Sequence, residues 1–213
     1  MNRKDVNFMK TVVTIGRQLG SNGKVIGKAL AERLGFTFYD KDKIAQVAKE
    51  SGLSENLFEG IDEKPTNSLL YALVMGVQSG KGLYYQYNDV LNGDNIFKLQ
   101  SDVIKGIAKN GSCIIVGRCA DYILRKDPGL VTLFLYADPD LRAKTLMERD
   151  GMSEKDAYNA INKADKRRSN YYNFYTNNTW GDVNNYNLCL DTGSLSIDGC
   201  VDILQRYINA KNA

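Results

Sequence analysis

Short apolar runs alternate along the chain with segments in which apolar residues recur every three or four positions. The apolar runs lie at residues 12–15, 36–39, 113–116, 130–137 and 188–191. They show little alternation with polar residues, which predicts strands buried on both faces. The segments between them have the spacing of amphipathic helices. Five strands separated by helices predict an α/β fold with a parallel sheet covered on both faces.

Helical spacing begins at Val25 and returns at residues 41–51, 96–109, 140–149 and 197–208. Gly35 and Gly151 are expected to end two of these helices. Ser153 and Asp156 form a capping box for a further helix, which is followed by an aromatic and asparagine-rich tract at 169–186. The segment 54–95 has the weakest pattern: a helix is predicted at 68–78 and a surface loop at 79–82, for which a mobile substrate-side segment is the alternative.

A glycine-rich turn joins the first strand to the first helix. Gly20 and Gly23 punctuate this turn, and Lys24 follows directly. Backbone N–H groups in such a turn, and the positive end of the helix dipole, both favour a bound anion. The turn departs from the P-loop motif G-x-x-x-x-G-K-[ST], because Gln18 replaces the first glycine and Val25 the hydroxyl residue. Two interpretations stay open, a phosphate-binding loop and a plain strand-to-helix turn.

Two charged residues directly after predicted strands are further candidates. Asp40 follows the second strand, on the side where α/β proteins usually bind ligands, and it is equally suited to N-cap the next helix. Arg118 follows the third strand, where a guanidinium group can hold a phosphate through two hydrogen bonds. An exposed loop arginine is the alternative for Arg118.

The composition excludes several kinds of chemistry. None of the 213 residues is histidine, which rules out Ser-His-Asp triads, phosphohistidine transfer and histidine-ligated zinc. Phosphoryl transfer is not excluded, since it depends on positioning and positive charge. No two of the four cysteines have C-x-x-C spacing, and Cys113 and Cys189 lie in apolar runs, which predicts buried thiols. With no signal peptide or membrane-spanning stretch in view, a cytoplasmic protein without a membrane partner is expected.

Three adjacent cations, Lys166, Arg167 and Arg168, precede the aromatic tract. Cations beside tyrosines suit single-stranded nucleic acid. The formal charge of only +3 and the lack of a wider basic field argue against a nucleic-acid partner. Adjacent like charges on a helix are unfavourable. The cluster therefore favours a small anionic ligand.

Four segments, in this order and spacing, resemble the cytidylate kinase-like branch of the P-loop kinases. They are TIGRQLGSNGKVIG, FYDKDKI, CIIVGRCADYIL and ADKRRSNYYNFYTNNTWGDVNNYNLCLDT, within residues 11–208. The resemblance implies an α/β, three-layer P-loop kinase fold: a five-stranded parallel sheet between helices, with a helical lid. It implies a single domain over 1–213, with a substrate-side insertion near 54–95 and a lid near 151–185.

The resemblance also implies direct phosphoryl transfer from ATP, with Mg²⁺, to a nucleoside monophosphate (cytidylate-like) or a similar small phosphate acceptor. The donor site would comprise Gly20, Ser21, Asn22, Gly23, Lys24, Val25 and Arg142, with Asp191 and Thr192 at its border. The acceptor side would comprise Arg17, Asp40, Arg118 and Asp121. The expected catalytic residues, whose charge would stabilise the transferring group, are Lys24, Arg118, Arg167 and Arg168.

The chain departs from the cytidylate kinase pattern in two places that bear on activity. Val116-Gly117-Arg118-Cys119 stands where those enzymes carry Asp-Gly-Arg-Asp, and Val25 removes the hydroxyl that usually holds Mg²⁺. No direct protein ligand to the metal is expected, and Mg²⁺ would be held mostly through water, with Asp40 or Asp121 behind it. These departures motivate an alternative, a nucleotide-binding regulatory protein with little or no kinase turnover.

Overall fold

Five parallel strands in the order β2-β3-β1-β4-β5 form the central sheet in the computed structural model, which describes residues 10–51 and 93–212. The strands are β1 (Val12–Arg17), β2 (Thr37–Tyr39), β3 (Cys113–Val116), β4 (Leu130–Tyr136) and β5 (Leu188–Asp191). The central strand β1 places Val12 beside both Cys113 of β3 and Leu130 of β4. The outer pairs are parallel as well. The predicted α/β fold with a five-stranded parallel sheet is confirmed.

Helices connect successive strands and cover both faces of the sheet. They are α1 (Gly23–Leu34), α2 (Lys41–Glu50), α3 (Gly93–Lys109), α4 (Ala120–Ile123), α5 (Pro139–Asp150), α6 (Glu154–Thr176) and α7 (Ile197–Lys211), with a 3-10 turn at Val183–Asn185. Gly35 and Gly151 end α1 and α5 in left-handed conformations, both with φ +67°, as predicted. The helix predicted at 68–78 and the loop predicted at 79–82 lie outside the described residues, as does all but the end of the insertion expected near 54–95.

The core has two halves, one on each face of the sheet. Val13 and Ile15 of β1 pack with α1 and α7, whereas Val12 points to the opposite face, toward α2 and α3. This alternation of side chains is the ordinary geometry of a strand with both faces buried. A smaller cluster, centred on Leu146 and Ile161, joins α5 to α6.

Two details differ from the sequence-based expectation. Helix α6 continues to Thr176, through the first part of the tract predicted to follow it, because Tyr171 and Tyr172 pack into the core while still helical. Asn177 then ends the helix in a left-handed conformation. Cys113 is buried as predicted, but Cys189 is only partly buried.

The parallel arrangement brings the carboxyl ends of the strands to one edge of the sheet. The glycine-rich turn after β1, the start of α2 after β2 and the turn after β3 all lie at that edge. Ligands bind at this edge in open α/β sheets. Across residues 10–51 and 93–212, no helix combines the length and the apolar character that a membrane span requires.

Candidate functional site

The turn between β1 and α1 adopts a conformation that few residues tolerate. Gly20 has φ +83° and Asn22 has φ +57°. A Cβ atom on Gly20 would lie 2.7 Å from the backbone oxygen of Arg142, and one on Gly23 would lie 2.7 Å from Cβ of Arg17. Glycine is therefore required at Gly20 by both conformation and space, and at Gly23 by space.

The N-terminus of α1 differs in its capping from those of α2, α5, α6 and α7. Helices α2, α5, α6 and α7 each begin with a side-chain cap and carry an acidic residue in the first turn. Helix α1 has neither, because Asn22 makes no side-chain capping hydrogen bond and the first turn contains no acid. The first N–H groups of a helix and its dipole attract an anion. The start of α1 therefore suits a phosphate group.

Lys24 forms an ion pair with Asp40 beside the start of α1. Their Nζ and Oδ2 atoms are 2.7 Å apart, while the Lys24 side chain stays 64% exposed. The hydrogen bond to Asp40 raises the pKa of Lys24. Burial acts to raise the pKa of Asp40, but hydrogen bonds from Lys24 and from the Lys43 N–H hold it below its usual value. Asp40 also N-caps α2 by accepting that Lys43 bond, so both roles considered for it are geometrically compatible.

Asp165 of α6 holds the glycine-rich turn in place. Its carboxylate accepts a hydrogen bond from the Leu19 N–H at 2.9 Å and pairs with Arg142 of α5 at 2.6 Å. Arg142 in turn donates to the Leu19 carbonyl at 3.3 Å, and its side chain is only 7% exposed. Arg142 thus supports the turn from behind. Its predicted place near the donor base stays a prediction.

A second set of hydrogen bonds ties the same turn to the ends of β4 and β5. The Gln18 side chain accepts from the Ala137 N–H at 3.2 Å. The buried Thr192 hydroxyl lies 2.9 Å from the Ser21 carbonyl and 3.1 Å from the Tyr136 carbonyl. Ser21 is itself buried, and its hydroxyl donates back to the Gln18 carbonyl. Gln18, which departs from the P-loop motif, therefore has a structural role in this chain.

Arg118 lies in a strained turn after β3. Gly117, Arg118 and Cys119 have φ of +76°, +61° and +54°, three left-handed residues in succession. Two of them are not glycine, and each such residue costs about 1–2 kcal/mol. Arg118 is 7% exposed, so it is not the exposed loop arginine of the alternative interpretation. Strain of this kind is often retained where it directs a functional group.

A narrow cleft lies between the end of β1, the turn after β3 and helix α6. Three arginines line it: Arg17, Arg118 and Arg168. The stem of Arg17 packs against Gly23 and its guanidinium against Gly117, so this side chain crosses from one turn to the other. Arg168 of α6 contacts the Arg17 carbonyl at 3.4 Å and Asp165 at 3.4 Å. Arg167 precedes it on α6 and is partly buried.

Aromatic residues and one carboxylic acid complete the cleft. Tyr171, Tyr172, Trp180 and Tyr186 line its walls, and Asp121 accepts a hydrogen bond from the Tyr172 hydroxyl at 2.7 Å. Burial raises the pKa of Asp121, although this hydrogen bond opposes the rise. With three guanidinium groups and a single acid among its described lining residues, the cleft favours an anionic ligand.

A larger open cavity of about 300 Å³ lies on the other side of Asp121 and Tyr172, near the start of β4. Its lining includes three asparagine residues together with Arg125, Asp127 and Lys211, but it includes none of the predicted site arginines. The smaller cleft is therefore the better candidate site, since Arg17, Arg118 and Arg168 meet there and the Arg17 side chain also packs against Gly23 of the glycine-rich turn.

Most of the predicted site residues fall into three groups by position, but Arg167 of α6 is not among the residues that line the cleft. The first group, at the start of α1, is Lys24 and Asp40. The second lines the cleft and comprises Arg17, Arg118, Asp121 and Arg168. The third consists of the buried residues that support the turn, Ser21 and Arg142. Val25 is 47% exposed on the first turn of α1. Sequence reasoning gave no role to Gln100 or to the cleft tyrosines, and it did not connect Asp165 to the turn. In the described ranges, no three Cys, Asp or Glu side chains cluster so as to hold a metal ion.

The sheet order and the glycine-rich turn before α1 match the P-loop kinase class of fold. A shikimate kinase structure from Bacteroides thetaiotaomicron has the same overall fold, with a TM-score of 0.53 and 14% identity, covering 94% of this chain and 99% of that one. The family model of the cytidylate kinase-like family matches residues 12–194. The chain belongs to the cytidylate kinase-like family.

Two other relatives span almost the whole chain. A cytidylate kinase from Methanothrix thermoacetophila is 24% identical over 200 residues, covering 93% of this chain and 98% of that protein. The structure of an uncharacterized protein from Eubacterium ventriosum is 29% identical with a TM-score of 0.71, covering 94% of this chain and 99% of that one. The sequence resemblance to the cytidylate kinase-like family is thereby confirmed.

Proposed function

We propose that this protein transfers a phosphoryl group from ATP to a nucleoside monophosphate (cytidylate-like) or a similar small phosphate acceptor. The observation that carries the proposal is the open N-terminus of α1, which alone among the long helices with described starts lacks both a cap and an acid. It lies beside a cleft with three arginines. A donor phosphate at the helix start and an anionic acceptor in the cleft would be neighbours.

The role of each residue follows from its position. The donor phosphates would be held by the N–H groups of the glycine-rich turn and by Lys24. On binding, the Lys24 ammonium group would leave its ion pair with Asp40 and contact phosphate oxygens instead. Arg17 and Arg118 would bind the acceptor phosphate. Arg167 and Arg168 would stabilise the charge on the transferring group from α6. In this mechanism transfer is direct, because positioning and charge supply most of the catalysis in this class of reaction.

Magnesium would enter as part of the Mg–ATP complex. The described residues offer no cluster of metal ligands, the Val25 side chain has no oxygen atom, and Asp40 is engaged by Lys24. Mg²⁺ commonly keeps several water ligands and binds through substrate phosphates. The residues of the site therefore fit a Mg²⁺ ion that is held by the nucleotide phosphates, and Asp40 would contact this ion through water at most.

A nucleotide-binding regulatory protein is the second candidate, favoured by Val25 and by the missing acids around Arg118. Formation of ADP from Mg–ATP by the purified protein, in the presence of CMP, dCMP, UMP, AMP or GMP, separates the two. Acceptor-dependent ADP formation supports the kinase. Calorimetric binding of ATP without turnover on any acceptor would support the regulator instead.

Charge removal at the site tests the assignment of residues. Lys24→Ala and Arg167→Ala should each lower kcat by about 10²-fold or more, because each removes charge directed at the transferring group. Lys163→Ala is the matched control, an exposed cation on the same helix as Arg167. Turnover close to wild type in both site variants would move the active site elsewhere.

A further inference from the structure

Gln100 of α3 is a buried polar side chain to which the proposed reaction assigns no role. Gln100 is 2% exposed, and Ile104 and Ile107 of the same helix pack in the hydrophobic core. Burying an amide is unfavourable unless its donors and acceptors are satisfied. A glutamine at this position therefore indicates specific hydrogen bonds.

Those hydrogen bonds go to both ends of Arg118. Oε1 of Gln100 accepts from Nη1 of Arg118 at 3.3 Å, and Nε2 of Gln100 donates to the Arg118 carbonyl at 3.3 Å. The amide thus contacts the guanidinium and the main chain of one residue at once. The backbone of Arg118 has φ +61°, an angle that residues other than glycine seldom adopt.

The same amide also reaches helix α6. Nε2 of Gln100 lies 3.1 Å from the Tyr171 hydroxyl, and Tyr171 is itself 3% exposed. Helix α6 carries Arg167 and Arg168 one turn earlier. One side chain therefore joins α3, the turn after β3 and the helix that carries the two further arginines.

We propose that Gln100 is a positioning residue, which directs the Arg118 guanidinium into the cleft and couples it to α6. The inference rests on the proposed function of the cleft as the acceptor site. Gln100 acts through Arg118 and does not itself touch the acceptor. Its effect should therefore appear in acceptor binding and not in ATP binding.

The chemistry of glutamine distinguishes it from its nearest replacements. Methionine has a similar length but neither donates nor accepts strongly. Glutamate keeps the acceptor for the guanidinium, but it sets a carboxylate against the Arg118 carbonyl oxygen and adds negative charge behind the arginine. Gln100→Met should release Arg118, whereas Gln100→Glu should keep it ordered yet weaken its attraction for an anion.

Steady-state kinetics with Mg–ATP and the fastest acceptor among the nucleoside monophosphates supply the first test. Gln100→Met should raise the acceptor KM about tenfold and leave the ATP KM nearly unchanged. Ser101→Ala is the matched control, because Ser101 is the buried neighbour on α3 and its hydroxyl donates within the helix to the Phe97 carbonyl. In an Arg118→Ala background, Gln100→Met should have little further effect. Equal losses in both backgrounds would overturn the inference.

A second readout does not depend on activity. The Nε–H signal of Arg118 in ¹⁵N-arginine-labelled protein is assigned by its loss in Arg118→Lys, and its heteronuclear NOE reports the order of the side chain. We expect an ordered signal in the wild type, Ser101→Ala and Gln100→Glu, and a mobile one in Gln100→Met. An ordered signal in Gln100→Met would overturn the inference. Absence of turnover in the wild type would instead refute the proposed function, and this NMR result would then decide the role of Gln100.

Discussion

Asp165→Ala should destabilise the fold by about 3–5 kcal/mol, the usual effect of leaving one member of a buried ion pair uncompensated. Arg142 has a side chain 7% exposed, and its Nε atom has no hydrogen-bond partner among the described residues. The Asp165 carboxylate, 2.6 Å from Nη1, is therefore the main compensation for its charge. The substitution also removes the acceptor for the Leu19 N–H, which contributes about another 1 kcal/mol.

Chemical denaturation followed by circular dichroism measures this loss directly. Glu32→Ala is the control, since Glu32 pairs with Lys28 at 4.0 Å on the exposed face of α1, and it should change stability by about 0.5 kcal/mol or less. The double variant Asp165→Ala/Arg142→Met should be more stable than Asp165→Ala alone, because the more deeply buried of the two cations that lose Asp165 is gone. A loss below about 1 kcal/mol for Asp165→Ala, or no recovery in the double variant, would refute the reasoning.

Three further predictions use other parts of the site. Gly20→Ala should cost about 1–3 kcal/mol and weaken ATP binding in calorimetry, because Gly20 has φ +83° and no room for a Cβ. Because the pKa of Asp40 is lowered in the folded state, its ion pair with Lys24 stabilises the fold above about pH 4, and this stabilisation is lost as the pH falls through the folded pKa. The denaturation midpoint of Asp40→Asn should therefore fall less steeply than that of the wild type below about pH 4. Burial raises the pKa of Cys113 to about 11, so mass spectrometry after iodoacetamide treatment at neutral pH should find Cys113 unmodified, and modification there would contradict its buried position.

Local patterns were enough to predict most elements of the fold. The apolar runs at 113–116 and 188–191 match β3 and β5, and Gly35, Gly151 and Ser153 mark helix ends where expected. The end of α6 was missed, because Tyr171 and Tyr172 gain their helical packing from a core that the local sequence does not reveal. The strand order is likewise a property of tertiary packing, since local periodicity does not specify which strands pair.

Some residues of the candidate site could also be predicted from the sequence, and others could not. The glycine-rich turn and the residues after β2 and β3 were predictable, because each lies at a strand end. The supports of the turn were not, since Asp165 binds Leu19 across 146 positions and Thr192 reaches Ser21 across 171. Gln100 was missed for a related reason: in the sequence it is one polar residue on an amphipathic helix, and only the folded chain brings it to Arg118.

The left-handed turn after β3 has a consequence for how the protein responds to ligands. Gly117, Arg118 and Cys119 reach their unusual backbone angles when the chain folds, so the conformational cost is met before any ligand arrives. In the proposed function, a guanidinium that is already held in place needs little rearrangement on binding, and such preorganisation leaves more of the interaction free energy for affinity. Substitutions that relax this backbone would therefore make the protein more stable and the site less effective, the trade-off between stability and activity seen at strained sites.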